Sequence, residues 1–146
     1  MPTPDITRDR LPDGSWKLAA GKCSFTYQSL RQGAMRITIE GVDNGQFGTA
    51  TLDEIRLELL RHRPLELFID AGAAVAVGVA VSKEWTHFFA LNRDHLTRVS
   101  VLAGTKAVEL TIAIAQHLSQ TGNLIQIYSD RALFEQRVTA ARTGRG

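Results

Sequence analysis

From Ala34 onward, segments with the two-residue period of a β-strand alternate with segments that have the 3.6-residue period of an α-helix, and this alternation limits the possible folds most. Met35, Ile37 and Ile39 are separated by polar residues, which is typical of a strand with one wet face. Parallel neighbouring strands require crossover connections, and these are almost always right-handed. The sequence therefore predicts the α/β class, with a sheet that becomes parallel after an antiparallel start.

The predicted elements are a mixed central sheet of about five to six strands, about four helices and an N-terminal β-meander. Gly21 and Gly33 separate the first strands, and Pro64 ends the first helix before a short apolar strand. The predicted strands cover residues 16–19, 23–30, 34–40, 65–69, 99–103 and 124–128. The predicted helices are residues 52–62, a segment capped by Ser82 that contains Trp85, a long segment after Thr105, and a closing segment capped by Ser129 or Asp130.

The length of 146 residues is typical of one domain with one hydrophobic core. Because 44% of the residues are hydrophobic and 22% charged, the composition excludes an intrinsically disordered chain. We expect a single domain over residues 1–146. Prolines and charges near the start predict a flexible lead-in at residues 1–13, and glycines at the end predict a frayed tail at residues 143–146.

Charge and cysteine content restrict the partners and the compartment. The net charge is only +2 and the basic residues are scattered among acidic ones, so we expect no nucleic-acid partner. Cys23 is the single cysteine, which excludes an internal disulfide and favours the reducing cytoplasm. The longest apolar run, residues 71–81, is much shorter than the roughly 17 residues that a membrane span requires. We therefore expect no transmembrane segment.

Several strand and helix segments together resemble the STAS superfamily, and within it the divergent SpoIIAA-like proteins of the anti-anti-sigma factor type, over residues 34–142. The resemblance implies an α/β SpoIIAA-like fold and a regulatory module that binds a protein partner without being an enzyme. It rests on residues 35–41 as the entering strand, residues 67–70 at the end of the next strand, the helix around Trp85, residues 99–102, and residues 125–132.

One segment departs from the pattern of the family's phosphorylation switches. Those members carry an Asp-Ser-Ser-Gly type motif where the helix after the Asp-ending strand begins, whereas this chain reads Val-Gly-Val-Ala-Val-Ser over residues 77–82. Ser82 is the only hydroxyl residue there, and no glycine follows it. Phosphorylation of Ser82 is therefore a weak hypothesis, and an ordinary helix cap is the favoured interpretation.

Catalytic, metal and cofactor motifs are missing from the sequence. The histidines lack the i, i+4 spacing of a helical metal site, so we expect no metal. Gly104-Thr105-Lys106 lacks the upstream glycine of a phosphate loop, and Gly72 and Gly78 do not form a dinucleotide fingerprint. We therefore expect no cofactor and no catalytic residues.

The run of small apolar residues at 71–81 is the most unusual feature, because it has neither strand nor helix periodicity. It predicts either a buried strand or packed loop, or a smooth apolar patch for a protein partner or a second copy of the chain. A different hypothesis is a small-molecule or lipid carrier with an apolar pocket near Asp70 and Trp85. The candidate interaction or ligand surface comprises Asp70, Val77, Val79, Val81, Ser82 and Trp85.

Overall fold

A computed structural model describes residues 5–119 and 123–143. Its strands are β1 (Thr7–Arg10), β2 (Trp16–Ala20), β3 (Cys23–Arg31), β4 (Ala34–Asp43), β5 (Leu65–Val77), β6 (Leu96–Ala103) and β7 (Ile125–Tyr128). Its α-helices are α1 (Ala50–Arg61), α2 (Val79–Leu91), α3 (Lys106–Ser119) and α4 (Arg131–Arg142), with a short 3-10 turn at Arg93–His95.

The described strands form one sheet in which the spatial order follows the order along the chain, from β1 to β7. The pairs from β1 to β4 are antiparallel, and those from β4 to β7 are parallel. The predicted α/β class, the N-terminal meander and the four helices are confirmed. The sheet has seven strands, one more than the upper end of the predicted range.

The additional strand lies inside the segment predicted as a flexible lead-in, so that prediction is wrong for residues 7–10. All four β1 side chains are exposed, which explains why no apolar pattern revealed the strand. Backbone pairing with β2 holds β1 at the edge of the sheet, and the Arg8 Nε donates to the Glu54 carboxylate of α1 at 2.9 Å. At the other end of the chain, residues 144–146 of the predicted frayed tail lie outside the described residues.

Two hydrophobic cores lie on opposite faces of the sheet. The larger core joins α1, α2 and α3 to one face, with Ile37, Leu67 and Val99 fully buried at its centre. The smaller core joins α4 to the other face through Phe68, Leu102, Phe134, Val138, Ala141 and Ala34. Because successive strand residues point to opposite faces, residue parity along β5 decides which core a side chain enters.

Candidate functional site

Strand β5 extends beyond its neighbour on one side. Ala71 is paired with Ala103, the last residue of β6, whereas β5 continues to Val77 along β4. Within the described residues, positions 73–77 are therefore paired on one edge only, with a bulge at Val75. The chain leaves β6 through Gly104, where any Cβ would collide with the Gly72 carbonyl, so this exit runs directly against β5.

Apolar side chains at the end of β5 and the start of α2 face solvent. Val75 is 67% exposed and Val79 57% exposed. Three small neighbours are also exposed, and we call the whole set the apolar tip: Ala73, Val75, Ala76, Val79 and Ala80. The run at 71–81 thus divides into a strand end and a helix start. Ala71, Ala74 and Val81 are buried, as the prediction of a buried segment requires. The residues of the apolar tip are exposed, as the alternative prediction of an apolar surface patch requires.

The junction between β5 and α2 is fixed at Gly78. Its amide donates to the Asp43 carbonyl at 2.9 Å, and its own carbonyl accepts from the Ser82 amide at 3.0 Å. Gly78 is the N-cap of α2, so the expectation that Ser82 caps this helix is wrong. The cap lies four residues earlier, because the Gly78 carbonyl already accepts the first helical hydrogen bond, from the Ser82 amide.

Ser82 lies on the buried side of α2 and is only 5% exposed. It lines an apolar pocket together with Val77, Val81 and Trp85. A phosphate there would place about two negative charges in an apolar pocket, at high desolvation cost. The placement of Ser82 therefore argues against its phosphorylation in the folded protein.

The pocket between α2 and the sheet has a cavity of about 70 Å³. Trp85 stacks on Phe25 with ring centroids 5.7 Å apart, and it meets Phe89 edge to face at 5.9 Å. An engineered cavity that binds benzene is about 150 Å³, so this one accommodates a small apolar group and not a drug-sized molecule.

Asp43 is a polar residue of this pocket that the sequence did not single out. It is 3% exposed and accepts a hydrogen bond from the Gly45 amide at 3.0 Å. Burial raises the pKa of its carboxyl, the Gly45 bond lowers it, and the charge of Glu84 raises it further, with a net upward shift. The only sequence signal is the Asp-Asn-Gly run over residues 43–45, which begins at the last residue of β4 and is typical of a turn and not of a pocket.

Asp70 lies on the opposite face of the sheet from this pocket. The hypothesis of a pocket lined by both Asp70 and Trp85 is therefore wrong, because Ile69 and Ala71 point to the α2 side and Asp70 points to α4. Two arginines hold the carboxylate. Arg36 donates to it at 2.7 Å, and Arg131 donates to both of its oxygens at 3.0 Å.

The Asp70 group is a four-residue charge cluster that fastens α4 to the sheet. Arg36 also donates to both oxygens of Glu135, at 2.6 and 3.0 Å, and the Gly72 amide donates to Asp70. Burial pushes the pKa of Asp70 upward, but the bonds from Arg131, Gly72 and Arg36 outweigh burial and hold it below its ordinary value. With every charge matched, the cluster has a structural role.

Among residues 5–119 and 123–143, no three His, Cys, Asp or Glu side chains come together in a way that could hold a metal ion. None of the helices described is both long and apolar enough to cross a bilayer.

Comparison with known proteins gives matches at the level of structure. No protein-family model and no curated protein matches the sequence. An anti-sigma factor antagonist from Mycobacterium paratuberculosis aligns over 80% of this chain and 94% of its own, with 18% identity and a TM-score of 0.57. An uncharacterised protein with a SpoIIAA-like fold from Shewanella loihica aligns over 92% of both chains, with 12% identity and a TM-score of 0.48.

A further match is the unphosphorylated form of the anti-sigma factor antagonist SpoIIAA, which covers 77% of this chain and 95% of its own at 8% identity and a TM-score of 0.47. The first of these matches establishes that this protein has the fold of an anti-sigma factor antagonist. The α/β fold of the anti-anti-sigma factor type, predicted from the strand and helix segments, is confirmed.

Proposed function

We propose that this protein is a non-enzymatic regulatory module of the cytoplasm that binds a protein partner through the apolar tip. The observation that carries the proposal is the exposure of Val75 at the end of β5, where the strand is paired on one edge only, beside the exposed Val79 at the start of α2. The fold it shares with an anti-sigma factor antagonist supports a regulatory role.

The chemistry of the tip favours a protein as the partner. An unpaired strand edge offers backbone donors and acceptors to an added strand, and apolar side chains beside it supply buried area. The tip carries small side chains, which let another backbone approach closely. A second copy of this chain satisfies the same requirements, so a homodimer is one form that the complex takes.

The proposed module differs from the phosphorylation switches of the family it resembles. Its one hydroxyl near the start of α2, Ser82, is buried in the pocket. In the proposed function, phosphorylation of Ser82 does not regulate the binding of the partner.

Substitution of Val79 tests the proposal. Val79 is the first residue of α2, where an aspartate is favoured by the partial positive charge of the helix end, so Val79→Asp leaves the fold intact. We expect it to reduce recovery of the partner, or self-association in sedimentation, at least tenfold. Leu133→Asp is the matched control, because Leu133 is 51% exposed in the first turn of α4, where an aspartate is favoured in the same way. Equal binding by both variants, or unfolding of Val79→Asp, contradicts the proposal.

A second candidate function, carriage of a small apolar molecule or lipid tail, is favoured by the cavity beside Trp85. The buried Asp43 carboxyl disfavours an anionic head group, so a neutral alkyl chain is the class that fits. Titration of a Trp16→Phe variant with propanol, a short alcohol that suits a cavity of about 70 Å³, is expected to change the Trp85 fluorescence with saturation. Val81→Phe, which fills the cavity, is expected to abolish the change. No saturable response in the parent protein, together with a ligand-free native mass, excludes carriage.

A further inference from the structure

A second, polar cleft lies at the opposite end of the parallel strands, away from the apolar tip. Its walls are the β3–β4 turn and the loop that joins α1 to β5. The cleft has a volume of about 440 Å³, within the range of roughly 300–1,000 Å³ that small-molecule sites occupy. The residues that line it are Arg31, Gln32, Gly33, Arg61, His62, Arg63, Pro64, Glu66 and Thr97.

Hydrogen bonds join the two walls of the cleft. The Gly33 carbonyl accepts from the Glu66 amide at 2.8 Å, and Gln32 Nε2 lies 3.2 Å from His62 Nδ1. A Cβ at Gly33, where φ is +88°, would stand 3.3 Å from the Pro64 carbonyl, so the turn and the loop are in close contact. The walls are therefore held together before any ligand arrives, which reduces the entropic cost of binding.

The cleft carries an excess of positive charge. Three arginines and one glutamate line it, which gives +2, the same as the formal net charge of the entire chain. Within the described residues, no carboxylate lies within 4 Å of Arg31, Arg61 or Arg63. Glu66 is 8% exposed and lies on the floor of the cleft.

The single acidic group of the cleft is buried and adds little negative charge to it. Glu66 pairs in register with Arg98 of β6, and burial raises the pKa of its carboxyl more than the charges of Arg98 and Arg31 lower it. Arg61 and Arg63 are exposed and flank the opening, without a carboxylate to neutralise them. Arg31 is held in place, because its Nε donates to the Ala141 carbonyl at 2.6 Å and its Nη1 to the Gln32 carbonyl at 2.8 Å.

We propose that this arginine-lined cleft binds a small molecule that carries a phosphate or pyrophosphate group. Planar guanidinium groups match the oxygens of phosphate in pairs, and the size of the cleft admits such a group with a further organic part. No helix N-terminus contributes here, since α1 ends at the cleft with Arg61 in its last turn. The arginines therefore supply the attraction, and their removal is expected to abolish it.

Titration of the full chain with inorganic pyrophosphate, followed by amide NMR and calorimetry, tests the proposal. We expect saturable shifts at Gly33, His62 and Thr97, and at least tenfold weaker binding for Arg61→Gln and for Arg63→Gln. Arg63→Lys, which keeps the charge but loses the paired geometry, is expected to bind with intermediate affinity. Lys106→Gln is the matched control. Lys106 is exposed at the other end of the sheet, and its replacement removes one positive charge, as each cleft variant with glutamine does.

Three results overturn the proposal. One is the absence of saturable shifts at these amides in wild-type protein. Another is an equal loss of affinity in Lys106→Gln and in the cleft variants, which indicates general screening of charge. The last is association with vesicles of phosphatidylglycerol without any response to pyrophosphate, which indicates a membrane surface and not a small molecule. Because the cleft and the apolar tip share no residue, failure here leaves the proposed partner surface untouched.

Discussion

Replacement of Asp70 by alanine tests whether one buried carboxylate holds α4 against the sheet. The substitution removes the acceptor of three charged hydrogen bonds, one from Arg36 and two from Arg131, and of the bond from the Gly72 amide. Removing one partner of a fully buried ion pair costs about 3–5 kcal/mol, because a charge remains without compensation.

The expected cost is smaller here, because the remaining charges are partly compensated. Arg131 is 52% exposed, so its pairing contributes little, and Arg36 keeps both bonds to Glu135. We therefore expect a loss of about 2–3 kcal/mol in the free energy of unfolding. For a domain of this size that corresponds to a Tm lower by roughly 5–12 °C.

Urea unfolding followed by circular dichroism measures this loss, and Asp53→Ala is the control. Asp53 bonds to Arg56 at the same 2.7 Å, but both side chains are about half exposed, so we expect a loss below about 0.5 kcal/mol. The pKa of Asp70 is lowered in the folded state, so its contribution is present above its ordinary pKa of 3.8 and disappears as the pH falls through the folded value. Equal losses in the two variants, or a gap that does not narrow as the pH falls below 3.8, refute the role of the cluster.

Three further predictions concern the pocket and the sheet. Asp43→Asn is expected to raise the Tm at neutral pH, because the raised pKa of Asp43 means that its ionised carboxylate destabilises the fold. This gain in Tm should vanish as the pH falls below about 3.8, where the carboxyl is protonated in both the folded and the unfolded state. A lower Tm at neutral pH contradicts the prediction. Gly104→Ala is expected to cost about 1–3 kcal/mol, because the new Cβ meets the Gly72 carbonyl, and an unchanged Tm contradicts this contact. Burial, together with the Asp43 charge, raises the pKa of the Cys23 thiol to about 12. Iodoacetamide should therefore label Cys23 only when the protein unfolds, because the thiolate is the reactive form. Rapid labelling of the folded protein at pH 8 contradicts the burial of Cys23.

The order of strands and helices was predictable because periodicity is local. Met35, Ile37 and Ile39 carry a strand period that the structure reproduces with all three buried. The closing helix was predictable from its cap, since the Asp130 side chain accepts from the Ala132 amide at 2.8 Å. Strand β1 was not predictable, because its charged side chains face solvent and only backbone pairing defines it.

The candidate site was predicted only in part, for two physical reasons. Four of the five residues at 65–69 are apolar, the exception being Glu66, because both faces of β5 are covered. The apolar residues therefore do not alternate along this stretch, and the face that Asp70 occupies was not predictable. Residues 71–81 are small and apolar without a period, so neither the end of the strand nor the start of the helix was marked. Of the candidate residues, the structure brings Val77, Val81, Ser82 and Trp85 together in the pocket.

The polar cleft was missed because its arginines come from distant parts of the chain. Arg31 ends β3, whereas Arg61 and Arg63 lie at the end of α1 and beyond it. Only the pairing of β4 with β5 brings these segments together, through contacts such as Ala34 opposite Glu66. The net charge of the whole sequence does not reveal such a local cluster of positive residues.

Photo-crosslinking in the source cell tests the partner surface most directly. A photoreactive benzoyl-phenylalanine at position 79, in place of Val79, should yield one discrete adduct, either with a partner protein or with a second copy of the chain. The same group at position 60, in place of Leu60, which is even more exposed than Val79, should yield none. Adducts at position 60 but not at position 79, or no adduct at either, would contradict the apolar tip as the binding surface.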